Sequence, residues 1–353
     1  MSTFVIGYYA ALIAASCLAA YFKKREAFLL LFSLTLASFV LGLIGGRPAL
    51  NTITVAAAVI ALAAGTAYAW REFLAILLPR ELAKAIRTAP LTASFGLFVI
   101  FTYAVMGIFA PVIAPFGEAE VIAGAFDPPS EALLLGADQL GRDMFSRIVY
   151  GARNTVGLAL AATLLAFFVG AIAGLFAAVK QGWFDQIMGR GADVIMSIPS
   201  LIFALLMLSI FGTNLMVIVV VVAIIYSPRV FRLSRAVAGN VVVMDYIEAA
   251  SLRGEGTGYL IRKEILPNSM APLIAEFGLE FCFVFLLMAG LSFLGLGIQP
   301  PTADWGSMVR ENALLITFGE ITPLIPAAAI ALLTVAVNFV VDWMLFRSSG
   351  LKD

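Results

Sequence analysis

Long stretches without a charged residue alternate with short polar segments along the chain. A helix needs about 20 mostly apolar residues to cross a hydrocarbon core about 30 Å thick, at about 1.5 Å rise per residue. We therefore predict an all-α polytopic membrane protein. The stretches that meet this length are Met1–Phe22, Ala27–Gly46, Pro48–Trp70, Thr88–Gly117, Asn154–Val179, Val194–Pro228, Phe281–Ala303 and Ile321–Val341.

The stretch Val194–Pro228 is too long for a single crossing. As one straight helix it would be about 52 Å long. Gly212-Thr213-Asn214 lies in its middle and has turn-forming composition. Dividing the stretch there predicts about nine transmembrane helices.

The distribution of basic residues supports this division, because cytosolic segments carry an excess of Lys and Arg. With nine spans and an external N-terminus, seventeen of the 22 basic residues fall in cytosolic segments. Without the division, ten would be cytosolic and twelve external. We therefore expect an external N-terminus and a cytosolic C-terminus.

The polar segments predict a domain organisation. Three N-terminal transmembrane helices occupy residues 1-70, and a basic amphipathic cytosolic connector follows at 71-90. Residues 91-347 form a core with an external loop at 117-153 and a cytosolic loop at 229-263. The first apolar stretch has Lys23-Lys24-Arg25 after it and no basic segment before it, which favours a retained span over a cleaved signal peptide. We interpret the first three helices as a lipid-facing appendage.

Composition agrees with a membrane protein and narrows the chemistry. Hydrophobic residues make up 62% of the chain and charged residues 12%, against about 45–50% and about 25% in soluble domains. The 22 basic and 22 acidic residues balance, so nothing indicates nucleic-acid binding. With no histidine, His-based catalysis and His-ligated metal sites are excluded. Cys17 and Cys282 lie in apolar stretches and are interpreted as small buried hydrophobes, so no metal site is expected.

The cytosolic loop contains a predicted short helix. Asp245 is placed as its N-cap, and Glu248 stands where a capping-box carboxylate would stand. Gly254 and Gly256 end the helix. Ala249 and Ala250 give it a small-residue side. The residues alone leave two interpretations open, insertion into a groove of another protein or packing on lipid headgroups.

Two carboxylates precede the last but one span. Glu276 and Glu280 share a helix face at i,i+4 spacing. An intramembrane carboxylate costs about 2.5–3.5 kcal/mol on insertion scales and normally faces a cavity or a partner. One interpretation is that Glu280 lines a translocation path and meets a cationic group. The other is that both acids lie near the cytosolic interface and pair with Arg262 or Lys263.

The predicted external segments carry further candidates. Arg142, Asp143 and Arg147 either contact an external binding partner or fold their loop onto its own helix ends. We expect Trp305 in a rigid external corner at the interfacial aromatic belt.

Several motifs resemble those of one transporter family. Glu248-Ala249-Ala250 followed by Gly254, and Ile265-Leu266-Pro267 further on, are similar to the EAA loop of ABC importer permeases. Two further groups resemble the dipeptide/oligopeptide/nickel class, and the pattern is similar to its C-type subunit. They are Gly136-Ala137-Asp138, Gly141-Arg142-Asp143, Ser146-Arg147 and Gly151-Ala152-Arg153 on one side, and Leu291-Ser292-Phe293-Leu294-Gly295-Leu296-Gly297, Pro300-Pro301 and Trp305-Gly306 on the other.

The resemblance implies a permease subunit that forms half of a translocation pathway for peptides or peptide-like solutes. It implies a six-helix core in a bacterial or archaeal cytoplasmic (inner) membrane, preceded here by three extra helices. The implied partners are a second, B-type permease, one or two ABC ATPase subunits, and a periplasmic or lipid-anchored solute-binding protein. ATP and Mg²⁺ would be bound by the ATPase partners, because the sequence has no G-x-x-x-x-G-K-[ST] motif.

The resemblance also implies roles for particular residues. Contact with the ATPase is expected at Asp245, Glu248, Ala249, Ala250, Arg253, Gly254 and Pro267. The translocation path is expected at Glu280, Ser292, Gly295 and Gly297. The chain departs from the family pattern at Glu264, where relatives usually carry histidine or another residue, and at Met288, where many relatives carry a glutamate. Two alternative functions stay open, an ion-coupled secondary transporter that uses Glu276 and Glu280, and an ABC importer of a nickel chelate, opine or glycoside.

Overall fold

The structure is a computed structural model that describes residues 51–318, 320 and 322–348. The predicted spans Met1–Phe22 and Ala27–Gly46 lie outside the described residues. The chain divides into two compact units, Met1–Phe98 and Val99–Asp353.

Helices dominate the described residues. Their bounds are α1 Asn51–Leu77, α2 Arg80–Arg87, α3 Leu91–Ile108, α4 Ala110–Ile113, α5 Met144–Lys180, α6 Gly182–Met196, α7 Ser200–Phe211, α8 Leu215–Val242, α9 Asp245–Leu252, α10 Thr257–Phe293, α11 Trp305–Asn312 and α12 Leu324–Ser348. Both α5 and α10 contain one wider, π-helical turn, at Ala152–Val156 and Leu260–Ile265.

The described part of the first unit consists of α1, α2 and the start of α3. Helix α1 continues past the predicted end of its span at Trp70, because Arg71 and Glu72 are part of its last turns. The Trp70 indole contacts the Phe98 ring with centroids 5.7 Å apart. Pro79 precedes α2, where exposed Lys84 alternates with buried residues, as an amphipathic connector requires.

Six described helices are long and apolar enough to cross a membrane, and seven candidate spans result if the pair α6 and α7 counts as one. These two helices meet at 88° across a short break. Helix α7 alone is about 18 Å long, too short for the hydrocarbon core. The predicted turn at Gly212 is confirmed, since Gly212 has φ +83° and Asn214 caps α8. The total of nine spans stays a prediction.

Three membrane helices extend further than the uncharged stretches indicate. Helix α5 begins at Met144, α8 continues through Pro228 to Val242, and α10 begins at Thr257 and ends at Phe293. The prediction of a span over Phe281–Ala303 is therefore shifted towards its N-terminus. Charged residues do not end a helix when they find partners, as Arg235 does by pairing with Asp185 of α6.

Small residues bring α5 and α8 into close contact in the second unit. A Cβ atom at Gly170 would lie 2.5 Å from the Ser227 carbonyl oxygen, and one at Gly174 would lie 2.5 Å from the Phe231 carbonyl oxygen. Small-xxx-small spacing permits this approach where lipid supplies no hydrophobic drive for helix association. This helix pair supports the segments that carry the site.

Candidate functional site

The short helix α9 is anchored by two residues and exposed elsewhere. Ile247 is 4% exposed and Ala250 is fully buried. They pack in an apolar cluster formed by the ends of α5, α8 and α10, namely Leu175, Ala178, Ala238, Leu260 and Ile265. One face of α9 is therefore inserted among the ends of three membrane helices.

The opposite face of α9 and the residues before it expose apolar side chains. Leu252 is 81% exposed and Val243 is 77% exposed, and Met244 and Tyr246 are also exposed. Glu248, Ala249 and Arg253 share this accessible surface. Exposed apolar side chains rimmed by polar residues are typical of a protein-binding surface.

Two details of the predicted helix are wrong. The N-cap is Met244, while Asp245 is the first helical residue and makes no capping hydrogen bond with its side chain. Ala249 and Ala250 do not form a common outward surface, because adjacent helical residues point about 100° apart and Ala250 faces the core. Asp245 still lies in the first helical turn, where a carboxylate interacts favourably with the helix dipole.

The end of α9 is a Schellman turn. The Gly254 N–H donates to the Ser251 carbonyl at 2.9 Å, and the Glu255 N–H donates to the Ala250 carbonyl at 3.2 Å. Gly254 has φ +85°, a conformation that glycine adopts without steric penalty. The prediction that Gly254 ends the helix is confirmed.

Pro267 lies where the chain enters the straight part of α10. It follows the π-helical turn Leu260–Ile265, is exposed, and occupies the first turn of the α-helix that begins at Leu266. Proline lacks an N–H and is tolerated at this position. Ile265, fully buried, attaches this turn to the same cluster that holds α9.

The predicted external arginines form a buried ionic network. Arg142 is 3% exposed and Arg147 is 1% exposed. The Arg142 Nε donates to Asp138 at 2.7 Å, and both guanidinium groups reach Glu311 Oε2, at 3.0 and 3.3 Å. Asp143 caps α5 by accepting the Ser146 N–H at 2.8 Å. Of the two interpretations, the structure supports the loop folded onto its own helix ends.

The predicted position of Trp305 in the interfacial aromatic belt is wrong. The indole is fully buried and donates its N–H to the Ile148 carbonyl at 3.0 Å. It lies edge-on to Tyr103, with ring centroids 5.3 Å apart, and against Gly151, where a Cβ would overlap the ring. Trp305 thus joins the start of α5 to α11.

Asp304, next to Trp305, was not identified from the sequence. Its carboxylate accepts the Thr155 hydroxyl at 2.8 Å and the Ser307 N–H at 2.9 Å. Burial raises the pKa of Asp304, and these hydrogen bonds oppose the shift. Glu118, also missed, accepts the Ala303 N–H at 2.7 Å. Both carboxylates accept hydrogen bonds from residues far away in the chain. Such contacts cannot be predicted from a single sequence.

Ser292, Gly295 and Gly297 form a tight turn at the end of α10. Gly295 has φ +90°, and a Cβ at Gly297 would overlap the Ser292 side chain, which is 4% exposed. Gln299 Nε2 closes the turn by donating to the carbonyls of Gly295 and Gly297, at 3.1 and 2.9 Å. Their contribution to a translocation path stays a prediction.

The two carboxylates of α10 differ in exposure. Glu280 is 2% exposed and its Oε2 has no hydrogen-bond partner in the described part of the chain, whereas Glu276 is half-buried. Neither forms an ion pair with Arg262 or Lys263 among the described residues. Arg229 of α8 lies nearby, because its guanidinium carbon is 5.2 Å from the centre of the Phe283 ring, about one turn along α10 from Glu280.

These features define a class of protein. The long membrane helices carry buried charge, and a short surface helix is anchored at their ends. This combination is typical of a transport subunit that is driven by a partner. The chain belongs to the family described as binding-protein-dependent transport system inner membrane component, which matches residues 170–348. This confirms the resemblance drawn from the EAA-type motif.

Similar proteins cover most of the chain. The Di/tripeptide transport system permease protein DppC of Pseudomonas aeruginosa is 34% identical over 73% of this chain and 85% of that protein. The Glutathione transport system permease protein GsiD of Pectobacterium atrosepticum is 33% identical over 80% and 89%. Among solved structures, the inward-facing MetNI methionine ABC transporter aligns with a TM-score of 0.48 and 15% identity, over 59% of this chain and 98% of that chain.

Proposed function

We propose that this chain is the permease subunit of an ATP-driven importer and forms half of the translocation pathway for peptides. The observation that carries this proposal is α9, a helix anchored by Ile247 and Ala250 among three membrane helices while its opposite face exposes Leu252 and Tyr246. Such a helix has a surface for a partner and a rigid connection to the membrane part.

The proposed coupling follows from this packing. ATP binding closes two partner ATPases, which hold ATP and Mg²⁺, and the closure moves the docked α9. Because α9 packs against the ends of α5, α8 and α10, its movement tilts these helices and alternates access to the pathway. This subunit supplies no ATPase site of its own, in line with the lack of a P-loop motif in its sequence.

The proposed assembly contains a second permease of the B type, one or two ATPase subunits and a solute-binding protein outside the membrane. We place the chain in a cytoplasmic membrane with its C-terminus and α9 in the cytosol, as the distribution of basic residues predicts. The three N-terminal helices precede the permease core and are proposed to face lipid. Peptides are the solutes suggested by the names of the relatives.

Reconstitution of the purified complex in proteoliposomes tests this function. We expect ATP-dependent uptake of a dipeptide that is indifferent to an ionophore. Replacement Glu248→Ala, on the exposed face of α9, should reduce uptake at least tenfold and leave membrane insertion unchanged, because the docking contact is lost. Lys263→Gln, an exposed charge on the neighbouring π-helical turn, is the matched control and should transport normally.

Two results would contradict the proposal. Unimpaired uptake by Glu248→Ala would show that α9 does not couple the ATPase to transport. Uptake abolished by an ionophore but independent of ATP would favour an ion-coupled carrier that uses Glu276 and Glu280. ATP-driven uptake of a nickel chelate, opine or glycoside in place of dipeptides would keep the coupling and change the solute.

A further inference from the structure

Charged residues of two membrane helices lie near the contact between α8 and α10. They are Arg229 on α8 and Glu276 and Glu280 on α10. Arg229 of α8 is exposed, and its guanidinium carbon lies 5.4 Å from the centre of the Tyr226 ring and 5.2 Å from that of Phe283. The Tyr226 hydroxyl donates to the Phe283 carbonyl at 3.1 Å, which ties the two helices together at this point. The guanidinium is therefore held over the contact between α8 and α10.

The position along the helices places this group inside the membrane-spanning part of α8, in the half nearer the cytosol, and not in the cytosolic loop predicted at 229-263. Arg229 is about 21 Å along α8 from Leu215, and Glu280 is about 20 Å along α10 from Phe293. Both distances start from ends that the predicted topology puts outside. Against a hydrocarbon core about 30 Å thick, the two charges lie at a similar depth, well away from the external interface.

The charges are incompletely satisfied within the subunit. Glu280 is 2% exposed. Among the residues that the structure describes, its Oε2 has no hydrogen-bond partner and Arg229 forms no ion pair within 4.0 Å. Intramembrane charges are costly and almost always face a water-filled cavity or a partner rather than lipid. Phe283, half exposed beside Arg229, belongs to the same open face.

We infer that Arg229 and Glu276 form a charged station of the translocation path, at which Arg229 contacts the carboxylate of a zwitterionic solute and the partly accessible Glu276 contacts its ammonium group, while the buried Glu280 adds negative charge one turn along α10. This inference rests on the proposed function and names residues that would meet the solute. Arginine suits the role because its planar guanidinium binds a carboxylate through two hydrogen bonds and stays charged at depth. The rings of Tyr226 and Phe283 hold it in place through cation–π contacts.

Thiol accessibility tests whether this face meets water. The complete complex first receives Cys17→Ala and Cys282→Ala. In this background two separate variants, Arg229→Cys and Phe283→Cys, each carry one cysteine. Phe283→Cys is used alone if the Arg229→Cys complex does not assemble. The control is Phe168→Cys on α5, 68% exposed and about 21 Å from Asn154. We expect a membrane-impermeant sulfonated methanethiosulfonate to react at the two test positions and not at 168, at a rate that changes when the ATPases are trapped with vanadate.

The inference is overturned if the test cysteines react with the reagent no faster than the cysteine at position 168. It is also overturned if vanadate trapping does not change their reaction rate. The face would then be covered by lipid or by the partner permease. This assay requires no solute. A wild-type complex that carries no dipeptide would sink the proposed solute class, while the thiol result would still decide whether this face lines a path.

Uptake of dialanine tests the contact with the solute. Arg229→Gln should reduce ATP-driven uptake about tenfold or more, the loss expected when a charge-assisted hydrogen bond is removed, while ATP hydrolysis stimulated by the loaded binding protein stays within twofold. Arg229→Lys should retain more uptake than Arg229→Gln. The control is Arg232→Gln, one turn further along α8, whose side chain is 59% exposed. Equal uptake, or a parallel loss of uptake and ATP hydrolysis, would assign Arg229 a structural role only.

Discussion

Gly254 offers a direct test of how the end of α9 contributes to coupling. It has φ +85°, and a Cβ added at this position would have no heavy atom within 4 Å. The effect of a substitution is therefore purely conformational. A non-glycine residue in the left-handed region costs roughly 1–2 kcal/mol, and a β-branched residue more. Since 1.4 kcal/mol is a factor of ten in an equilibrium constant, Gly254→Val should lower the ratio of native to non-native turn about tenfold or more.

The assay compares uptake and ATP hydrolysis by the reconstituted complex for a series at this position. We expect uptake per ATP hydrolysed to decrease in the order glycine, asparagine, alanine, valine, because asparagine tolerates the left-handed region best among the replacements. Gly258→Ala is the control, since Gly258 is also uncrowded and its φ lies outside the left-handed range. Equal coupling by Gly254→Val and Gly258→Ala would refute the idea that the Schellman turn holds α9 in its docking position.

Two further substitutions probe the scaffold. Glu311→Gln removes the carboxylate charge shared by Arg142 and Arg147, and breaking a buried pair costs about 3–5 kcal/mol, so the detergent-solubilised complex should lose roughly 6 °C or more in its thermal unfolding midpoint. Gly174→Leu places a side chain against the Phe231 carbonyl, so α5 and α8 should separate and the yield of assembled complex should fall severalfold by size-exclusion chromatography.

Each of these two predictions has a matched control. Glu131→Gln removes an exposed carboxylate from the polar segment that contains Arg142, and its unfolding midpoint should stay within about 2 °C of wild type. Gly157→Leu adds a side chain to α5 where nothing lies within 4 Å, and its assembly should be normal. If Glu311→Gln unfolds at the same temperature as Glu131→Gln, the buried ionic network does not stabilise the fold as predicted. If Gly174→Leu assembles as well as Gly157→Leu, close contact at Gly174 is not required for assembly.

Much of the architecture was predictable because it depends on local properties of the chain. Apolar length identifies a membrane helix, and a turn such as Gly212-Thr213-Asn214 divides a stretch that is too long. The boundaries were less predictable, because a helix continues through charged residues that find partners. For this reason α8 continues past Arg235, which pairs with Asp185, and α5 includes Arg147, which pairs with Asp138 and Glu311.

The short helix α9 illustrates the same division within one segment. Its place in the chain and its end at Gly254 follow from residue types that favour helix ends, and both are confirmed. Its start and its orientation cannot be predicted from residue types alone. Whether Met244 or Asp245 is the N-cap, and whether Ala249 or Ala250 is buried, depends on the residues that lie beneath the helix.

Residue spacing along the chain was enough to predict a helical membrane protein with a turn near residue 212 and an EAA-type loop. Which charges meet depends on how the helices pack and could not be predicted in this way. Arg142 and Glu311 are far apart in sequence and 3.0 Å apart in space, and Arg229 lies over a ring of another helix. Charge pairing in a low-dielectric interior depends on distance in space, and helix packing sets that distance.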